Sequence, residues 1–159
     1  MPNWCSNRVT VSGWDEESVQ EINEIREIFS QDNPFAKIIP PPDWKTMPND
    51  KGELPSLRQE FNQDGKLIYE SYYFPDGKND DRWYDWNVHN WGTKWDIGKD
   101  AVEWGDDEED YFQIHFDTAW APPEDVASEL KRKYKKVSIQ WFYDAVSYTH
   151  LTLPTNREV

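Results

Sequence analysis

Asn90-Trp91-Gly92-Thr93-Lys94-Trp95-Asp96 opens the stretch that decides the fold, and Phe116-Asp117-Thr118-Ala119-Trp120-Ala121-Pro122-Pro123 closes it. Residues 111–118 alternate between the two openings. Phe112, Ile114 and Phe116 fall on one face, and Tyr111, Gln113, His115 and Asp117 on the other. That period of two marks a strand with one buried side. Residues 95–104 also have strand character, with Gly98 as a bulge. Asp106-Asp107-Glu108-Glu109-Asp110 then makes an acidic turn. The stretch reads as a central hairpin with Trp-rich shoulders at both ends.

Upstream, residues 4–12 read as a first strand, because Arg8-Val9-Thr10-Val11-Ser12 alternates and is β-branched. Gly13 breaks it. Asp15 suits a helix N-cap, with Glu16 and Glu17 in the first turn. Ile22, Ile25 and Phe29 then recur at helical spacing, which predicts an amphipathic helix over 16–30. Asp32-Asn33-Pro34 ends it. Pro40-Pro41-Pro42 marks residues 35–44 as an extended connector.

Residues 45–81 form a long polar insertion. Within it Asp64-Gly65 turns a hairpin between 57–61 and 67–74. Residues 82–90 read as a helix with Trp83, Trp86 and Asn90 on one face, and Gly92 ends it. Downstream, Pro122 and Pro123 open a second amphipathic helix carrying Val126, Ala127, Leu130 and Tyr134. A last strand covers 137–143.

The resulting order is β, α, long insertion, β, β, α, β. This is an α+β chain on the ferredoxin-like split βαβ plan, with a four-stranded antiparallel sheet and both helices on one face. One domain, residues 1–145, is expected. Residues 146–159 fit nothing before them. They resemble a string found where unrelated metagenomic reading frames run into adapter sequence. They are read as a non-native tail that replaces a native C-terminal segment.

Composition restricts function. The 159 residues include ten Trp, one Cys and a formal net charge of −14. The charge is even, −7 over residues 1–80 and −7 over 81–145. No basic footprint for a nucleic-acid backbone is present, so direct nucleic-acid binding is not expected. Lone Cys5 excludes an intramolecular disulfide and a CxxC pair, and fits a reducing bacterial cytoplasm. Cys5 reads as a small packed residue. No apolar run approaches the roughly 20 residues of a membrane span.

No motif assigns a catalytic set, a metal or a cofactor. His115 and Asp117 make half a metal site at most. The acidic run at 106–110 lacks the glycine and terminal glutamate of a calcium loop. An enzyme would need His89, His115, Asp96 and Asp117 to converge. The richest constellation is Trp83, Trp86, Asn90, Trp91, Lys94, Trp95, Asp96, Asp117 and Trp120. Trp95 and Trp120 are expected at the same edge. Such a cluster serves as a second hydrophobic core, as a partner surface, or as a slot for a planar ligand.

Four motifs together resemble the YubB family, ferredoxin-like proteins of phages, prophages and plasmids. They are Met1-Pro2-Asn3-Trp4-Cys5-Ser6-Asn7, Trp83-Tyr84-Asp85-Trp86, and the two quoted at the outset. The resemblance implies the fold derived above and no catalytic residues. With the charge and the aromatic excess, it leads to a non-enzymatic accessory protein that binds a host protein. The alternative is a binder of a nucleotide-like small molecule at the Trp cluster.

Overall fold

The computed structural model describes residues 3–145 and 151–152. In chain order the elements are β1 Trp4–Ser12, α1 Glu16–Phe29, α2 Pro34–Ile38, β2 Ser56–Phe61, β3 Leu67–Tyr73 and α3 Arg82–Asn90. They are followed by β4 Glu103–Glu108, β5 Tyr111–Ala119, α4 Glu124–Lys133, β6 Ser138–Ala145 and β7 Leu151–Thr152. Residues 41–86 form one compact unit and the rest of the described chain another, with the boundary inside α3.

The larger unit holds an antiparallel sheet in the order β4-β5-β1-β6-β7. Its first four strands follow the split βαβ order expected for a ferredoxin-like domain. Leu151 and Thr152 pair with Tyr143 and Phe142. The remainder of the segment read as a non-native tail lies outside the described residues.

Alternation decides the two faces. Val9, Val11, Phe112, Ile114, Phe116, Ile139 and Trp141 are buried on one side. Against them pack Ile22, Ile25 and Phe29 of α1, and Val126, Ala127 and Leu130 of α4. The other side of the sheet is open. Its rows follow from register: Tyr111–Ser12–Ser138, Gln113–Thr10–Gln140, His115–Arg8–Phe142, and Asp117–Ser6–Asp144.

α1 starts where the sequence places it. Asp15 Oδ1 accepts from Ser18 N at 2.8 Å, and Ser18 Oγ accepts from Asp15 N at 2.9 Å. This reciprocal cap satisfies two otherwise orphaned donors. Gly13 is required beside it, because a Cβ there would stand 2.4 Å from Ser18 Oγ and 2.5 Å from Ser18 Cβ.

Residues 95–102 are not a strand. Their hydrogen bonds go to the loop after α1 instead. Asn33 N donates to Ile97 O at 3.0 Å, and Lys99 N to Asp32 Oδ1 at 2.8 Å. A single 3-10 turn follows at Lys99–Ala101. Pairing therefore begins at Glu103. The bulge lies between Trp104 and Asp107, not at Gly98. Residues 35–38, read as part of an extended connector, belong to one turn of helix at Pro34–Ile38. Pro34 at its start supplies a helical φ.

The smaller unit is built around Arg82. Its guanidinium donates to both carboxylate oxygens of Asp80 at 2.9 Å. It also donates to Trp44 O at 3.0 Å, Met47 O at 2.9 Å and Pro48 O at 3.2 Å. The same group lies 5.0 Å from the Trp44 ring centre and 5.1 Å from that of Phe74. β2 and β3 form the expected hairpin, but Asn62 rather than Asp64 starts the turn. Asn62 Oδ1 accepts from Asp64 N at 3.0 Å and Lys66 N at 2.9 Å, and Gly65 takes φ +79°. The same turn recurs at 49–53, again closed by an Asn side chain and a left-handed Gly.

Gly13→Ala should lower stability by about 1–3 kcal/mol in denaturant unfolding, since the new methyl overpacks a fully buried serine. The Arg82 hydrogen bonds hold the Asp80 carboxyl below its ordinary 3.8. A depressed folded value stabilises above that pH and is lost as pH falls through it. Amide protection factors in 44–48 and 72–80, corrected for the intrinsic pH dependence of exchange, should therefore fall below about pH 4. Asp80→Asn should already exchange fast at neutral pH and show little acid response.

Candidate functional site

The two Trp-rich motifs interlock. Gly92 has φ +93°, and a Cβ there would stand 2.9 Å from Glu124 N and 3.2 Å from Pro122 O. Only glycine permits that approach. Thr93 Oγ1 then donates to Ala119 O at 2.8 Å, and Thr118 Oγ1 to Ala121 O at 2.7 Å. Asn87 Nδ2 donates to Lys94 O at 2.8 Å, which fixes the loop from the other side.

Several predicted site residues are absorbed into this scaffold. Trp91 is 3% exposed; its Nε1 donates to Ile39 O at 3.0 Å, and its ring meets Phe35 edge-on at 6.0 Å. It is core, so it forms no wall of a surface slot. Asp96 is committed to the start of α2. Its carboxylate accepts from Phe35 N at 3.0 Å, Ala36 N at 2.9 Å and Ile97 N at 2.9 Å. Burial nevertheless raises its pKa above the ordinary aspartate value, outweighing those donors. Asp96 is thus unavailable to the catalytic convergence that an enzyme reading required.

Other members remain exposed. Trp4, Trp95 and Trp120 are 49%, 37% and 52% exposed. The Trp4 and Trp95 rings lie 6.2 Å apart, and Lys94 Nζ sits 4.5 Å from the Trp95 ring centre. Trp120 N donates to Asn3 O at 2.8 Å, one residue beyond the Trp4–Ala119 pair. Trp95 and Trp120 thus both meet the start of β1. Trp120 has φ +70°. A bulky side chain in the left-handed region costs of order 1–2 kcal/mol and persists only where its surroundings impose it.

Asn90 lines a separate shallow concavity with Ile39, Asp125 and Arg132. Asp117 lies on the open sheet face, opposite Ser6. Trp83 and Trp86 belong to the smaller unit, where the Trp83 ring lies 6.0 Å from that of Tyr84. Trp4 was missed as a site residue. Its outward position in the alternation of β1 was the signal that would have found it.

The open face carries one arrangement with catalytic form. Ser6 Oγ lies 2.6 Å from His115 Nε2, and His115 Nδ1 lies 3.7 Å from Glu103 Oε2. Acyl transfer also needs donors for an oxyanion. β1 is paired along both edges over residues 5–12, so its N–H groups are committed to the ladder. Cys5, on the core face, is fully buried, and burial pushes its thiol up to about 11. It is no nucleophile at neutral pH. Among the described residues no cluster of His, Cys, Asp and Glu could hold a metal, and no helix is long and apolar enough to cross a membrane.

Fold and scaffold define a ferredoxin-like α+β domain. More particularly, residues 90–151 match the sequence model of the ferredoxin-like domain in Api92-like protein. That span runs from the first Trp motif through β4, β5, α4 and β6 to the first residue of β7. No curated protein matches the chain. Among solved structures, protein api92 from Yersinia pseudotuberculosis is similar, with a TM-score of 0.46 and 11% identity. The alignment covers 92% of this chain and 91% of that one.

Trp91→Ala should lower stability by about 3–5 kcal/mol, as loss of a buried aromatic does. Trp120→Gly should leave stability unchanged or raise it by up to about 1 kcal/mol, because strain is relieved against a more flexible unfolded chain. Denaturant unfolding of the two variants measures both.

Proposed function

We propose that the chain is a non-enzymatic binding module that engages a basic surface of a host protein through Trp4, Trp95 and Trp120. In line with the resemblance of its motifs to the YubB family, it acts as an accessory protein of a phage or other mobile element. The setting proposed is the bacterial cytoplasm, where the single thiol stays reduced.

The observation that carries this reading is Trp120. A half-exposed indole is held at φ +70° on a turn whose two flanking carbonyls, Ala119 O and Ala121 O, accept hydrogen bonds from Thr93 and Thr118. Strain maintained at an exposed aromatic supports recognition rather than packing. The magnitudes are adequate. Covering the exposed halves of three Trp rings removes on the order of 300 Å² from water, a gross gain of about 7 kcal/mol before association costs. The net charge of −14 would speed encounter with a cationic partner and disfavour anionic ones.

The test is a pull-down from bacterial lysate with the full chain and with Trp95→Ala/Trp120→Gly, read by quantitative mass spectrometry. At least one basic protein should be retained by the parent, lost from the variant of unchanged circular dichroism, and released by salt. Equal retention by both chains, or retention of nothing, would overturn the reading.

A further inference from the structure

The open face of the sheet differs in chemistry from the rest of this acidic molecule. A concavity of about 940 Å³ lies over β5, β1 and β6, and none of its lining residues is a carboxylate. Arg8 and Lys135 give it two positive charges in a chain whose net charge is −14. At one end the Arg8 guanidinium lies over the Phe142 ring, 4.9 Å from its centre, forming a cationic aromatic platform. In the middle row Gln113, Thr10 and Gln140 present amides and a hydroxyl side by side. At the far end Ser12 and Ser138 face each other in register beside Lys135. Arg8 and Ser12 are four positions apart along β1, a span of roughly 13 Å.

We propose that this face binds a mononucleotide, with its base on the Arg8–Phe142 platform and its phosphate at Lys135, Ser12 and Ser138. Each region suits one part of the ligand. A guanidinium over a phenyl ring offers an aromatic base a cationic and an apolar surface together. Side-chain amides in the middle row can donate to and accept from a base edge. A lysine between two hydroxyls suits a phosphate. Trp4 stands on the same outward face of β1 but beyond the Asp117–Ser6–Asp144 row, and neither it nor Trp95 nor Trp120 lines this concavity, so failure here would leave the protein-binding proposal standing.

Charge also limits the length of the ligand. Beyond the platform the next row is Asp117–Ser6–Asp144, and Glu103 lies 3.7 Å from His115. Beyond the other end, Trp14 also borders a concavity lined by Asp15, Glu16, Glu108, Glu109 and Asp110. Screening confines electrostatics to about 8 Å at physiological salt. One phosphate meets Lys135 among residues that include no carboxylate, whereas the further phosphates of a polymer would run against carboxylates at either end. The site takes a single nucleotide and rejects a strand.

The experiment is titration of the isotopically labelled full chain, followed by amide chemical shifts. The probes are the four nucleoside monophosphates, adenosine, ribose 5-phosphate and a ten-residue oligothymidylate. At least one monophosphate should shift amides of Arg8, Thr10, Gln113, Gln140 and Phe142 in a saturable way. It should bind more tightly than either its nucleoside or the sugar phosphate. Lys135→Ala should weaken the monophosphate roughly tenfold and leave the nucleoside unchanged. Phe142→Ala should weaken both, and Trp120→Gly neither. Because Lys135 is exposed, its variant folds whatever the fate of Phe142→Ala. No saturable shift on this face at millimolar monophosphate would overturn the proposal. So would tighter binding of the oligomer, or equal binding by Lys135→Ala.

Discussion

Asn7 sits fully buried on the core face of the central strand, where an amide without partners would cost several kcal/mol. Its Nδ2 donates to Thr118 Oγ1 at 2.9 Å and to Cys5 O at 3.1 Å, and its Oδ1 accepts from Trp141 Nε1 at 3.0 Å. One side chain thus ties the neighbouring strands β5 and β6 to the strand between them. Thr118 passes the constraint on, because its hydroxyl donates to Ala121 O. The turn that holds Trp120 in a left-handed conformation is therefore anchored in the middle of the sheet. A buried network of this kind admits few alternative arrangements, since shifting any member leaves another unsatisfied.

The same sheet separates two surfaces of different character. At the start of β1, large aromatics stand half out of water over a rigid support. Across the face of the strands, short polar side chains and two cations line a shallow basin in an otherwise acidic molecule. Evenly distributed sequence charge conceals this pattern. Acidic residues concentrate in α1, in the β4–β5 turn and in the insertion, whereas outward positions of β1 hold Ser6, Arg8, Thr10 and Ser12. The net charge describes long-range attraction, and the local rows determine which ligand can stay.

The unit formed by residues 41–86 achieves order by other means. β2 is exposed along its length and supplies little core. Its organisation rests on one guanidinium that meets three carbonyls, a carboxylate and two rings. Tight turns closed by Asn side chains and left-handed glycines reduce the entropy of the remaining loops. Such a unit depends on charge and geometry more than on burial, which makes it sensitive to acid.

Periodicity and capping were legible in the sequence. Alternation in β1, β5 and β6, the stripe of α1, its Asp15 cap and the hairpin at residues 56–73 all depend on near neighbours. The order of those elements then led to the split βαβ plan. The tertiary structure alone decided what the loops do. Residues 95–102 resemble a strand in composition, yet their backbone pairs with a loop more than sixty residues away. Asp96 could have been a ligand, but three backbone N–H groups of distant and adjacent segments claim it. Trp91 and Trp120 look alike in the sequence; one is core and the other is surface. Side-chain type and spacing specify which face a residue can take. Which distant donor, acceptor or ring meets it there depends on how the whole chain closes.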